Sequence, residues 1–210
     1  MHPAAAFRHT DHQLHETLIE EVGFGMVFAQ TPDGPRVGHT PLIYRGDLST
    51  GDQPIGDGTV QFHLSARNAL TKHLAGTTAL LVVNGPDAYV SSRWYDAPDE
   101  PPTWNYVALE LEGPVRRMDA EGLSAMLETL TARHEARIQG GKPWTMDRLS
   151  PARLHGLMKG IVGFEMDIRA RRDTVKLSQN KSAEERSNIA KGLEENGSAG
   201  IAQLMRTLLK

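Results

Sequence analysis

The chain has no cysteine. That excludes disulfides, thiolate nucleophiles and Cys-ligated zinc or iron–sulfur sites, and it fits a reducing compartment. Long apolar runs are missing too. The longest candidate, TTALLVVNG, falls far short of the ~20 residues a membrane-spanning helix needs. The opening MHPAAAFRHTDHQLHE lacks the apolar centre of a secretory signal, so a cytoplasmic protein with no membrane partner is expected. Charge of one sign is also lacking. Lys plus Arg number 23 against 26 Asp plus Glu, a formal net charge of -3. Such a balance does not supply the strong positive field on which backbone-driven DNA binding depends. No G-x-G-x-x-G follows a strand, and there is no Walker lysine loop or G-x-S-x-G elbow. His12 and Glu16 lie one helical turn apart, but a solvated helix face explains them, and no metal site is expected. His134 and Glu135 are adjacent and do not share a helix face.

Aromatic residues are scarce, at 6%, yet they are not spread evenly. The stretch SSRWYDAPDEPPTWNYV holds Trp94, Tyr95, Trp104 and Tyr106, four of the seven Trp and Tyr in the chain. They flank an acidic, proline-rich connector. Such a cluster can close the end of a sheet, seal a subunit interface, or wall a flat ligand.

With 210 residues, the chain suffices for one solid core with decoration. TDHQLHETLIEEVG reads as a helix, with Thr10 and Gln13 at capping-box spacing. GMVFAQT and RVGHTPLIY then read as a hairpin, whose second arm Pro41 marks as an edge or bulged strand. RGDLSTGDQPIGDG is a polar loop. TVQFHLS is a strand with Val60, Phe62 and Leu64 on one face, and SARNALTKHLAG reads as a short helix. TTALLVVNG and DAYVSSRWY read as antiparallel neighbours across Gly85-Pro86, followed by the strand WNYVALELEGPVRRM. Asp119 opens a helix with Leu123, Met126, Leu127 and Leu130 on its buried face. Ser150-Pro151 opens another. IVGFEMDIRA alternates as a late strand with an extended tail, RDTVKLSQN. Ser182 and Glu185 begin a helix with a capping box, and GIAQLMRTLLK is a final amphipathic helix. Strands this dense, with helices around them, point to a mainly β fold and a small barrel.

Six segments in order carry a resemblance: GHTPLIY (38–44), FHLSARN (62–68), GPDAYVSSRWY (85–95), PTWNY (102–106), MKGIVGFEMDI (158–168) and KLSQN (176–180). Together they resemble the PaiB family of FMN-binding negative transcriptional regulators. The resemblance implies an FMN-binding split β-barrel of the pyridoxamine-phosphate-oxidase-like type, a homodimer with FMN at the subunit interface. It implies a split-barrel domain over 1–180, with inserted helices at 119–159, and a C-terminal helical extension over 181–210. By matching motifs, His63, Ser65, Asn68, Trp94, Tyr95, Trp104, Asn105, Lys176 and Gln179 are the implied cofactor-binding residues. The family pattern H-x-A-[RK]-x-N-P reads here from His63 to Ala69, with the basic residue displaced to Arg67 and the proline missing. No side chain stands out as a catalytic acid or base, so the flavin is expected to carry any redox step. A flavin-dependent reductase or oxidase of a small molecule is the leading expectation. The alternatives are a DNA-binding repressor, with the basic-flavoured segments SPARLHGLMKG (150–160) and RARRD (169–173), and a haem-binding barrel using His39 or His63.

Overall fold

The computed structural model describes residues 2, 4–9, 11–46, 58–96 and 99–208. The expected cap Thr10, most of the polar loop after Arg45, and Ala97 and Pro98 of the connector lie outside the described residues. In chain order the elements are α1 (His12–Val22), β1 (Phe24–Thr31), β2 (Gly34–Arg45), β3 (Thr59–Ser65), α2 (Thr71–Leu74), β4 (Thr78–Val90), β5 (Thr103–Arg117), α3 (Ala120–Glu135), α4 (Pro151–Met158), β6 (Ile161–Asp167), β7 (Ala170–Lys176), α5 (Ala183–Glu195) and α6 (Ala199–Leu208). The helices hold nearly as many residues as the strands, so the fold is mixed α/β around a sheet rather than mainly β. The strand order is β4-β1-β2-β3-β6-β5-β7, and β4 also pairs with β5. No helix among the described residues is long and apolar enough to cross a membrane.

The chain divides into two compact units. The larger comprises Gln13–Val83 and Glu110–Arg171. Here β1 and β2 form the expected hairpin, tight at Thr31 and Gly34. Gly34 turns with φ +93°, a backbone state nearly closed to residues with a Cβ. Period-2 alternation buries Val60, Phe62 and Leu64 of β3, and Phe62 stacks on Phe164 of β6 with ring centroids 5.6 Å apart. The other face of this sheet packs Ile43 against Leu123 and Met126 of α3. Asp119 caps α3 by accepting from the Gly122 N–H at 2.7 Å, and Ser150 caps α4 at Arg153.

Three local expectations are corrected. β2 lies between β1 and β3, so Pro41 sits in an internal strand. It survives there because it falls at a changeover. Pairing with β1 ends at Phe24↔Pro41, and pairing with β3 begins at Leu42↔Phe62. The second correction is Gly85-Pro86, which makes no turn. β4 continues through it, although its buried positions shift from odd (79, 81, 83) to even (88, 90), and β1 pairs only with Leu80–Val82, so the missing proline N–H interrupts no β1 ladder. Third, the helix expected from Ser65 starts only at Thr71. The Asn68 side chain instead accepts from the Leu70 N–H at 2.9 Å and closes a local turn, the known rival of helix for this residue type.

The smaller unit comprises Met1–His12, Asn84–Leu109 and Arg172–Lys210. Its core includes Ala88, Val90, Val107 and Leu109 from the strands, with Ile189, Leu193, Ile201 and Met205 from α5 and α6. The Ser182–Glu185 capping box is present in both directions.

Candidate functional site

Three of the expected cofactor residues belong to the larger unit. Alternation on β3 puts His63 on the face opposite Phe62 and Leu64, across from Gly163 of β6. The antiparallel register would pair Pro41 with His63, and proline has no N–H to give. Thr40 supplies the substitute. Its buried hydroxyl donates to the His63 carbonyl at 2.6 Å and accepts from the His63 N–H at 3.3 Å. Sequence reasoning missed Thr40. The signal that could have found it is a hydroxyl beside a strand proline.

The His63 imidazole is half-buried, and its Nδ1 has no hydrogen-bond partner. Burial pushes its pKa below the ordinary histidine value, because a desolvated imidazolium is disfavoured. The stability consequence has a definite sign. Below the ordinary value the unfolded chain takes up this proton more readily than the folded one. The contribution of neutral His63 is therefore complete above the unfolded value and is lost as pH falls toward the depressed folded value. Urea melts at pH 7.5 and pH 5 should show wild type losing stability that His63→Gln does not lose. Equal losses in both proteins would remove His63 from the pH response.

Beyond β3 the chain turns on its own polar groups. Ser65 Oγ accepts from the Arg67 N–H at 3.3 Å, Thr71 Oγ1 donates to the Ser65 carbonyl at 2.8 Å, and the Ala66 N–H donates to the Gly160 carbonyl at 2.9 Å. Ser65 and Asn68 thus shape the turn. Arg67 and Lys72 stand exposed on it, and their side chains form no hydrogen bond or ion pair among the described residues.

The other six expected residues belong to the smaller unit. Five of them are engaged internally. The Trp94 ring fills the space where a Cβ on Gly192 of α5 would stand. Tyr95 lies under the Lys181 ammonium, 4.3 Å from its ring centroid, and Lys181 also pairs with Glu100. Asn105 is fully buried; it accepts from the Ser178 hydroxyl at 3.0 Å, and its amide N–H faces Met205 Sδ at 3.5 Å. Ser178 has φ +62°, an unusual state for a residue with a Cβ. Gln179 braces the same turn, donating to the Val175 carbonyl at 2.5 Å and accepting from the Leu177 N–H at 2.7 Å. Lys176 donates to Thr103 Oγ1 at 2.8 Å and to the Trp104 carbonyl at 2.5 Å, below the Phe7 ring. Burial pushes its pKa below the ordinary lysine value.

Trp104 is the exception. It is 54% exposed and meets Tyr89, itself 49% exposed, edge-to-face at 6.0 Å. A cleft of about 280 Å³ opens beside it, lined by Asn84, Gly85, Asp87, Trp104, Tyr106 and Val107.

The comparisons with known proteins agree with one another. Residues 1–170 match the family described as "Putative FMN-binding domain". The chain is 31% identical over 197 residues to "Protease synthase and sporulation protein PAI 2" of Bacillus subtilis (strain 168), covering 92% of this chain and 90% of that protein. Among solved structures it is similar to the FAD and haem binding protein from Mycobacterium smegmatis, with TM-score 0.59, 16% identity, and 88% and 80% of the two chains covered. It is also similar to the flavocytochrome Anf3 from Azotobacter vinelandii, with TM-score 0.57, 15% identity, and 84% and 72% covered. At such identities these two likenesses speak for the fold alone, a β-sheet core with helices.

Proposed function

The chain belongs to the family described as "Putative FMN-binding domain", and from that premise we propose that it is an FMN-binding split-barrel homodimer serving flavin-dependent redox chemistry on a small molecule. The strand order supports the barrel, since β4-β1-β2-β3-β6-β5 returns to its start through the β4–β5 pairing. The proposal retains a split-barrel domain over 1–180 and a helical extension over 181–210.

The observation that carries the reading is the turn after β3. Arg67 and Lys72 stand on it without counter-ions among the described residues, and a phosphate ester is the ligand group that rewards such cations. His63, on the same strand end, is kept neutral by burial, and its Nδ1 is itself buried and unpartnered. Ser65 and Asn68 hold the turn that presents both cations. When bound, FMN supplies hydride or electron transfer; the protein's part is to hold the phosphate, orient the ring and exclude water. We assign Trp94, Tyr95, Asn105, Lys176 and Gln179 to the framework, because their partners lie within their own unit.

The test is an FMN titration of wild type against Arg67→Ala and Lys72→Ala. Each variant is expected to bind ~10-fold more weakly, the loss of one charge-assisted contact. Unchanged affinity in both would move the phosphate elsewhere. Sedimentation at micromolar concentration is expected to give twice the chain mass.

A haem reading through His63 would need its buried, unpartnered Nδ1 to be uncovered. The visible spectrum separates the two, since an axially ligated haem gives a Soret band and FMN does not. The DNA-binding reading has less support. Arg171, in the basic stretch 169–173, donates to the Tyr44 hydroxyl at 2.9 Å and lies over that ring at 5.3 Å, so it is not a free phosphate contact.

A further inference from the structure

The cleft beside Trp104 is chemically unlike the turn after β3. On β4, alternation sets Gly85, Asp87 and Tyr89 on one face, and on β5 it sets Trp104 and Tyr106 on one face. Gly85 has no side chain with which to fill the gap. The result is a cleft of about 280 Å³ with an indole and a phenol as walls. That volume lies just below the roughly 300–1,000 Å³ of drug-sized ligand sites and suits a single ring with a short substituent.

The charges are one-sided. Among the described residues lining the cleft, Asp87 is the one that carries charge, and none is a cation. Asp87 forms no ion pair or side-chain hydrogen bond among the described residues, and the same holds for Asn84 and Tyr106. Lys176 is already committed to Thr103 and the Trp104 carbonyl. An exposed indole face attracts cations through its quadrupole. A carboxylate at the same cleft adds to that preference and repels anions. A phosphate or carboxylate ligand is therefore disfavoured here, which separates this cleft from any phosphate site.

From these observations we propose that the Trp104–Asp87 cleft is a binding site for a small aromatic cation: one ring stacked on Trp104, with a protonated or quaternary nitrogen directed to Asp87. Asn84 and the Tyr106 hydroxyl provide neutral hydrogen-bond partners at the rim. The proposal stands independently of FMN binding.

Three soluble probes of one size test it by ligand-observed NMR titration at neutral pH: benzylammonium, benzyl alcohol and benzoate. Benzylammonium is expected to bind at least ~5-fold more tightly than benzyl alcohol, with benzoate weakest. Asp87→Asn, an exposed substitution, should erase that preference while leaving FMN affinity unchanged. Trp104→Ala should weaken benzylammonium ~10-fold or more, and Trp104→Phe by less. The thermal melt of each variant is compared with wild type; should Trp104→Ala fail to fold, Trp104→Phe and Asp87→Asn still decide the question. Equal binding of cation and alcohol, a preference that survives Asp87→Asn, or no binding of any probe at millimolar concentration would each overturn the proposal.

Discussion

Replacing Gly113 with alanine is expected to abolish cooperative folding of the larger unit, or to cost at least ~3 kcal/mol if a fold survives. β5 passes so close to the end of β6 at this point that an added Cβ would run into the Asp167 carbonyl oxygen. That obstacle is backbone, so no rotamer change relieves it. The two segments are also tied there, the Arg169 N–H donating to the Glu112 carbonyl at 2.8 Å, and the Val115↔Met166 register follows two residues later. Relief would require β5 and β6 to separate, breaking pairings on both sides of the clash. Urea denaturation followed by circular dichroism reads the effect directly. A wild-type midpoint would mean that the close approach of β5 to Asp167 is not part of the folded state.

The second large effect is expected at Thr40. Thr40→Val keeps the side-chain shape but removes the hydroxyl that stands in for the N–H missing at Pro41. The His63 carbonyl and N–H would then be left buried without partners. Each such orphan costs roughly 1–3 kcal/mol, so a loss of about 2–6 kcal/mol is expected. Thr40→Ser should recover most of it, because the oxygen is restored and only a methyl group is lost. If valine and serine are equally destabilising, the methyl packing matters and the hydroxyl bridge does not. The consequence reaches beyond stability. The same bridge fixes the backbone of His63, so Thr40→Val is also expected to weaken ligand binding at the turn after β3.

These two residues show what the sequence could and could not reveal. The alternation of Val60, Phe62 and Leu64 was legible because each side chain reports its face through its own hydrophobicity, and the structure buries all three. The Ser182–Glu185 capping box was legible for a similar reason, since both partners lie within four residues. Pro41 and Pro86 misled for a common physical reason. A proline is costly in a strand only where a neighbour needs its N–H, and the neighbours are set by pairings between distant segments. Gly113 was equally silent, since its constraint comes from Asp167, on another strand.

The candidate site divides along the same line. Motif matching named nine residues without distinguishing exposed side chains from those engaged within their own unit. Asn105 looked like a polar handle for a ligand; its partner Ser178 lies 73 residues away and holds it buried. The Trp94 ring lies against Gly192 of α5, a contact that motif spacing does not report. Trp104, one position before Asn105, points the other way on the strand and is left open. Strand parity predicts that opposition, although which of the two faces solvent depends on what packs against β5.

The central claim is that this chain binds FMN. The most direct measurement is a titration of FMN into the purified chain, stripped of any bound flavin, followed by flavin fluorescence and by the visible spectrum. The account predicts saturable binding at one FMN per chain, and weaker binding in Arg67→Ala. No saturable change with FMN in the wild-type chain would contradict it.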